Sequence, residues 1–189
     1  AGIIEEVGAN ITKFKKGDRV FGDLSDAGWG GFAEYVATKE SALCHIPENV
    51  SFEDAAAISQ AGLLTLQSLR YNGEIKPGDQ VLFNGAGGGV GTLGLQLAKQ
   101  WGAEVTVVDH PDKLASLKEL GADHTIDYTK TDYTETGPYD LVVDVIAHRP
   151  FSDYTKAVKP GGGMAIVGGK IGTLIRAAIS GGRRSKKTK

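Results

Sequence analysis

An α/β architecture, a doubly wound parallel sheet following a β-rich N-terminal part, is the fold this chain is expected to adopt. Three features lead there. Short apolar runs alternate with segments of helical period from about residue 80 onward, the pattern of βαβ units. A glycine-rich turn, Gly85-Ala86-Gly87-Gly88-Gly89-Val90-Gly91, joins the first of those runs to the first of those helices. Before residue 50 the pattern is instead one of short strands and turns.

In chain order, Ile3-Ile4-Glu5-Glu6-Val7-Gly8 reads as a strand with a glycine stop, and residues 16–22 as a turn into a second strand. Residues 30–36 alternate apolar and polar side chains, as a half-buried strand does. Pro47 closes this part. Ser51 followed by Asp54 is a capping signal, and alanines and leucines then recur at helical spacing towards Leu69. After Pro77-Gly78-Asp79, residues 81–83 form a short apolar strand, and residues 92–101 a helix with Leu93, Leu95, Leu97 and Ala98 mainly inward. A strand over 105–108 and a helix over 113–120, stopped by Gly121, come next. A short strand at Ile126, a long buried one over 139–145, a helix over 151–158 and a strand over 164–167 complete the series. No internal repeat is apparent. The division expected is a β-rich part over residues 1–57 and a nucleotide-binding α/β domain over residues 58–189.

The 189 residues suffice for one good-sized domain, or for one domain and part of another. The 27 glycines are about double the usual share and gather at strand ends, which points to backbone-lined binding loops and not to low complexity. A net charge of −2 gives no pull toward nucleic acid, and the basic run over 183–189 reads as a solvated tail. Cys44 is the only cysteine, which excludes an intramolecular disulfide and a thiolate zinc cage. No apolar stretch reaches the roughly 18 residues of a membrane span, and the start lacks a basic-then-apolar leader. A cytoplasmic protein with neither a nucleic-acid nor a membrane partner is expected. Patterned sequence begins almost at Ala1 and polar residues end the chain, so both ends look cut and a fragment is expected.

Strand, glycines and helix in that order give the turn its meaning. Read from Ala86 the spacing is A-x-G-x-x-G, on Ala86, Gly88 and Gly91. The first position makes the tight turn, Gly88 admits a pyrophosphate to the backbone, and Gly91 lets the helix pack against the strand. The helix beginning near Val90 then aims free N–H groups and its positive dipole end at the phosphates. A P-loop is excluded, because Gly91 is followed by Thr92 with no lysine. A methyl-donor site of the S-adenosylmethionine type usually leads its glycines with an acid, where Asn84 stands; it remains the rival reading. The second strand ends at Asp109, 23 residues past Ala86. An acid there bonds the ribose 2′-hydroxyl and favours NAD, whereas Lys113, four residues on, would pair with a 2′-phosphate and favour NADP. That choice stays open.

Residues 84–92, followed by Leu95-Gln96-Leu97-Ala98-Lys99-Gln100-Trp101-Gly102, resemble the medium-chain dehydrogenase/reductase superfamily, and within it the zinc-independent quinone oxidoreductase-like branch. Val7-Gly8, residues 14–22 and 30–36, Leu120-Gly121-Ala122-Asp123, Ile126-Asp127-Tyr128, residues 139–144 and Lys159-Pro160-Gly161-Gly162 match in the same order. The resemblance implies a GroES-like catalytic domain, partial over residues 1–57, joined to a Rossmann domain over 58–189 whose last strand is truncated. It places the active site in the cleft between them, with further strands before Ala1 and after Lys189, the last commonly pairing across a homodimer. It implies that Gly87, Gly88, Gly89 and Val90 line the pyrophosphate and that Lys113 and Tyr128 hold the adenosine 2′-phosphate of NADPH. Val145, Ala147, Val167, Gly168 and Gly169 would sit on strand ends approaching the adenosine ribose and nicotinamide. The chain departs from the family pattern at Leu64, where many members have a nicotinamide-side threonine and Thr65 follows. It departs again at Ile146-Ala147-His148, in place of a commoner Val-Gly, and at Asp109 beside Lys113.

No metal is expected. The structural zinc lobe of alcohol dehydrogenases needs four closely spaced cysteines, the catalytic ligand expected around Ser59-Gln60-Ala61 is missing, and His45, His110, His124 and His148 are scattered. The expected function is hydride transfer from NADPH, with NADH as the alternative cofactor, to a small carbonyl, enone or quinone. Without zinc, catalysis would rest on positioning the nicotinamide and on hydrogen bonds to developing charge. No residue stands out as a general acid, and the proton donor is expected from water or from sequence outside this chain. The alternative is a nucleotide-binding fragment, or a binding protein on an inactive dehydrogenase scaffold, without turnover.

Overall fold

In the computed structural model, which describes residues 1–71, 73–169 and 172, the chain divides between Leu63 and Leu64 into two units. In the first, β1 (Gly2–Ile3), β2 (Arg19–Phe21) and β3 (Cys44–His45) form an antiparallel sheet in that order, with Val20 opposite both Gly2 and His45. Ile4 N–H donates to Asp18 O and Gly17 N–H to Ile4 O, so the first hairpin ladder runs one step past β1, short of the strand expected over residues 3–8. Phe14, Val20 and Ile46 are buried, and the Arg19 guanidinium lies 4.7 Å above the Phe52 ring.

The strand expected over residues 30–36 is not formed. No described strand falls within that stretch or pairs with it, and Phe32 and Tyr35 are exposed. Alternation supplies a face but no neighbour; without a ladder for its backbone groups the segment stays irregular.

Helix α1 (Phe52–Leu69) begins in the first unit and ends in the second. Its start carries the expected cap: Asp54 N–H donates to Ser51 Oγ at 3.0 Å, and that hydroxyl donates to the Asp54 carboxylate at 2.7 Å. The second unit continues as β4 (Gln80–Asn84), α2 (Gly89–Gln100), β5 (Glu104–Asp109), α3 (Pro111–Glu119), β6 (His124–Asp127), β7 (Tyr139–Asp144), α4 (Phe151–Ala157) and β8 (Val158–Ile166). The sheet order is β6-β5-β4-β7-β8, every pair parallel: the doubly wound sheet predicted from the alternating pattern.

Successive residues of β4 serve opposite faces. Val81 and Phe83 join Leu95, Ala98, Val105 and Val107 in one core, while Leu82 joins Val142, Tyr154 and Ala157 in the other. Burial on both faces is why β4, β5 and β7 read as near-continuous apolar runs. Truncating a fully buried side chain such as Leu82 to alanine would cost about 2–5 kcal/mol. Several elements start earlier than the sequence suggests, α3 and β8 among them. Pro111 takes the first helical position of α3, where its missing N–H is no loss. β8 begins at Val158 because β7 offers a partner from Tyr139 onward. The basic run over 183–189 and the last strand that the resemblance implies lie outside the described residues.

Candidate functional site

From β4 the sheet grows both ways, to β5 and β6 on one side and to β7 and β8 on the other. The order reverses at β4, the place where sheets of this kind hold ligands outside the carboxyl ends of their strands, and the glycine-rich turn follows β4 there. Gly85 has φ of 82°, and the N–H groups of Gly85 and Ala86 both donate to Val108 O, at 3.0 and 3.3 Å. A side chain at Gly91 would overlap the Ala86 backbone, and one at Gly94 would overlap the Phe83 ring, so two glycines let α2 lie close against β4. Gly88 is different. The nearest atom to a Cβ there would be Gly85 O at 3.9 Å, so nothing in the chain requires glycine. Gly88 is the N-cap of α2, extended at φ −102° and ψ 176°, and no side chain caps the helix. Open space beside uncapped N–H groups at a positive helix end fits a phosphate. Thr65, fully buried, donates its hydroxyl to Val90 O at 3.0 Å and ties the end of α1 to the first turn of α2.

On the β5 and β6 side the structure gathers Gly87, Asp109, Lys113 and Tyr128. Asp109 is only 8% exposed; Oδ2 accepts the Gly87 N–H at 2.6 Å and Oδ1 the His110 N–H at 2.8 Å. Lys113 Nζ stands 3.7 Å from Oδ1, so the two residues with opposed cofactor preferences form an ion pair. The Lys113 stem crosses Gly87, where a side chain would meet it. Tyr128 is half-exposed, its N–H faces Asp109 O at 3.5 Å, and its ring centre lies 6.1 Å from that of His110. His110, expected only as one of four scattered histidines, thus joins the group. Its place immediately after the strand-end acid is the signal that could have found it.

On the β7 and β8 side, Val145 N–H donates to Asn84 O, Ala147 N–H to Gly168 O and Val167 N–H to Asp144 O, all at 2.9–3.0 Å. Ala147 and Gly169 form a further parallel bridge, and side chains at Gly168 and Gly169 would overlap the carbonyls of Val145 and Ala147. At the base of this bank Asp144 is fully buried. Its Oδ1 accepts from Asn84 Nδ2 and Ile146 N–H, each at 3.0 Å, and Oδ2 from the Tyr133 hydroxyl at 3.2 Å. Burial first, then the Asp144 charge, pushes the Tyr133 and Tyr154 phenols far above their ordinary range, so both stay protonated. Asn84 and Asp144 carried no expected role, although an acid closing an otherwise apolar strand is itself a signal. Among the described residues no three His, Cys, Asp or Glu are grouped to hold a metal ion, and no helix is long and apolar enough to cross a membrane.

Two families match the chain in tandem: the alcohol dehydrogenase GroES-like domain over residues 1–48 and the zinc-binding dehydrogenase family over residues 89–181. The chain belongs to the medium-chain dehydrogenase/reductase superfamily. Among superfamily relatives it is 36% identical over 180 residues to a zinc-type alcohol dehydrogenase-like protein of Schizosaccharomyces pombe, covering 90% of this chain and 52% of that one. It is 35% identical to the 2-methylene-furan-3-one reductase of Solanum lycopersicum, covering 90% and 46%. The quinone oxidoreductase structure from Coxiella burnetii superposes with a TM-score of 0.84 at 31% identity, covering 96% of this chain and 58% of that one. The Escherichia coli quinone oxidoreductase complexed with NADPH superposes with a TM-score of 0.78 at 28% identity, covering 93% and 58%. The chain spans about half the length of the curated relatives it matches.

Proposed function

We propose that this protein is a zinc-independent medium-chain reductase that passes hydride from NADPH to a small enone, quinone or carbonyl compound. The observation that carries the reading is the open, uncapped start of α2 at Gly88, with a cation and a tyrosine at the ends of α3 and β6 beside it. In this reading Ala86 and Gly91 shape the turn, Gly87, Gly88, Gly89 and Val90 line the pyrophosphate, and Lys113 and Tyr128 take the adenosine 2′-phosphate. Val145, Ala147, Val167, Gly168 and Gly169 face the adenosine ribose and nicotinamide. Asp109 is engaged by two N–H groups and by Lys113 and is nearly buried, whereas the Lys113 side chain is 55% exposed. The charge presented outward is therefore the cation, which favours NADPH over NADH.

Bound there, the cofactor supplies the hydride; the chain's residues hold and orient it and keep the strand ends at fixed spacing. Zinc independence rests on the donors the sequence offers, a single cysteine and four histidines scattered along the chain. Names of relatives, a furanone reductase and two quinone oxidoreductases, support the substrate class. A cytoplasmic setting belongs to the same proposal, supported by the free thiol and by a cofactor supplied inside cells. So does a homodimer, supported by β8 having β7 as its one described partner strand. The test is calorimetric titration with NADPH and NADH, followed by assays with quinones and enones. Tight NADPH binding with turnover is expected. NADPH binding with no turnover of any such acceptor would leave a nucleotide-binding protein and remove the reductase.

A further inference from the structure

We propose that Asp144 is a positioning residue whose buried carboxylate, bridging Asn84 on β4 to the loop after β7, sets the strand ends for the nicotinamide half of the cofactor. The proposal rests on the cofactor reading above. With Asp109, Lys113 and Tyr128 on the β5 and β6 side of β4, the adenosine 2′-phosphate is anchored there, and the β7 and β8 ends, past the adenosine ribose, are left for the nicotinamide half. Asn84 and Asp144 pair in register as the last residues of β4 and β7, so their side chains meet where the two banks meet.

Four contacts converge on this one residue. Oδ1 takes the Asn84 amide and the Ile146 N–H, Oδ2 takes the Tyr133 hydroxyl, and the main-chain carbonyl takes the Val167 N–H. β4, the 145–147 loop, the end of β8 and the short turn Tyr133–Glu135 are thereby fixed to a common point. A carboxylate buried in a sheet is costly unless its lone pairs are used, and an aliphatic residue like the neighbouring Val142 and Val143 would fill the strand without that cost. Strand packing therefore does not account for an acid here, whereas its partners lie at the ligand-facing edge. The two banks are also in close touch: a Cβ on Gly85 would come within 3.2 Å of the Ile146 side chain, so a shift of the loop reaches the glycine turn.

Asp144→Asn keeps the shape but turns one acceptor into a donor facing other donors. The exchange pair Asn84→Asp with Asp144→Asn restores an acceptor opposite an amide across the strands. Titration with NADPH and with 2′,5′-ADP, which carries the adenosine half alone, separates the two parts of the site. Asp144→Asn is expected to weaken NADPH about tenfold or more and 2′,5′-ADP less than about twofold, and the exchange pair to return NADPH to within about threefold of the unaltered protein. Equal loss of both ligands, no loss of NADPH, or no recovery in the exchange pair overturns the proposal. Should Asp144→Asn not fold, Asn84→Ala, which removes only the cross-strand bond, carries the same comparison with the same reading of outcomes. If the unaltered protein binds neither NADPH nor 2′,5′-ADP, it is the cofactor reading that has failed, and the role of Asp144 falls with it.

Discussion

Glycines 88 and 91 sit three residues apart in one turn and do opposite jobs. Gly91 is demanded by the chain, since a methyl there would press into the Ala86 backbone. Gly91→Ala should destabilise the second unit by about 1–3 kcal/mol, read from urea unfolding. Gly88 is demanded by nothing in the chain. Gly88→Ala should cost less than about 1 kcal/mol of stability, yet lower NADPH affinity about tenfold or more by titration, because its methyl stands where the phosphates approach. Equal effects of the two substitutions on stability would contradict this division. Lys113 gives a third expectation: Lys113→Ala should weaken NADPH about tenfold and leave NADH within about twofold, since only the former carries the 2′-phosphate. At this scale the sequence spoke clearly where spacing encodes geometry, as in A-x-G-x-x-G. Its signal was weak for His110 and Asp144 and absent for Asn84, whose importance comes from residues about 20 or 60 positions away.

Elements are joined at the other edge of the sheet by carboxylates. Burial raises the Asp123 carboxyl, but the hydrogen bond from Lys99, the Val105 N–H and the Lys99 charge outweigh it and hold it below the ordinary range. That residue ties the approach to β6 to α2 and β5. Asp140 is held low in the same manner: burial opposes, and Lys159 with the Gln80 N–H prevails, joining β7 to β8 and β4. A carboxyl depressed in the folded state contributes stability that is complete above its unfolded pKa, about 3.9, and is lost as pH falls through the folded value. Unfolding midpoints should therefore be flat above about pH 5 and drop below about pH 4. Asp123→Asn should lower the neutral plateau and shrink the acid drop, measured by denaturant unfolding across that range. Such contacts were not legible in the sequence, because Asp123 and Asp140 look like ordinary loop and strand-end acids until strands are placed side by side. The elements of the second unit were legible; in the first, the strand expected over residues 3–8 is only Gly2–Ile3, β3 carried no signal of its own, and at residues 30–36 alternation promised a strand that no neighbour among the described residues completes.

For the molecule as a whole, ligand and fold are linked. NADPH at 100 times its dissociation constant should stabilise the second unit by about 2.7 kcal/mol, seen as a higher midpoint that rises with cofactor concentration. S-adenosylmethionine should leave the midpoint unmoved; stabilisation by it in place of NADPH would restore the methyl-donor reading of the turn. The parallel arrangement could be inferred from alternating strands and helices because βαβ crossovers admit few arrangements, and every pair in the observed sheet is parallel.

The Phe83 ring fills the volume that a side chain on Gly94 would need. Strand and helix are consequently spaced by a single aromatic ring, and the two positions cannot drift independently over evolution. A lineage that acquires alanine at 94 should carry a smaller residue at 83. In the laboratory Gly94→Ala and Phe83→Leu should each destabilise alone but together show a favourable coupling of about 1 kcal/mol or more. The spacing of β4 from α2 is then inherited as a pair of residues.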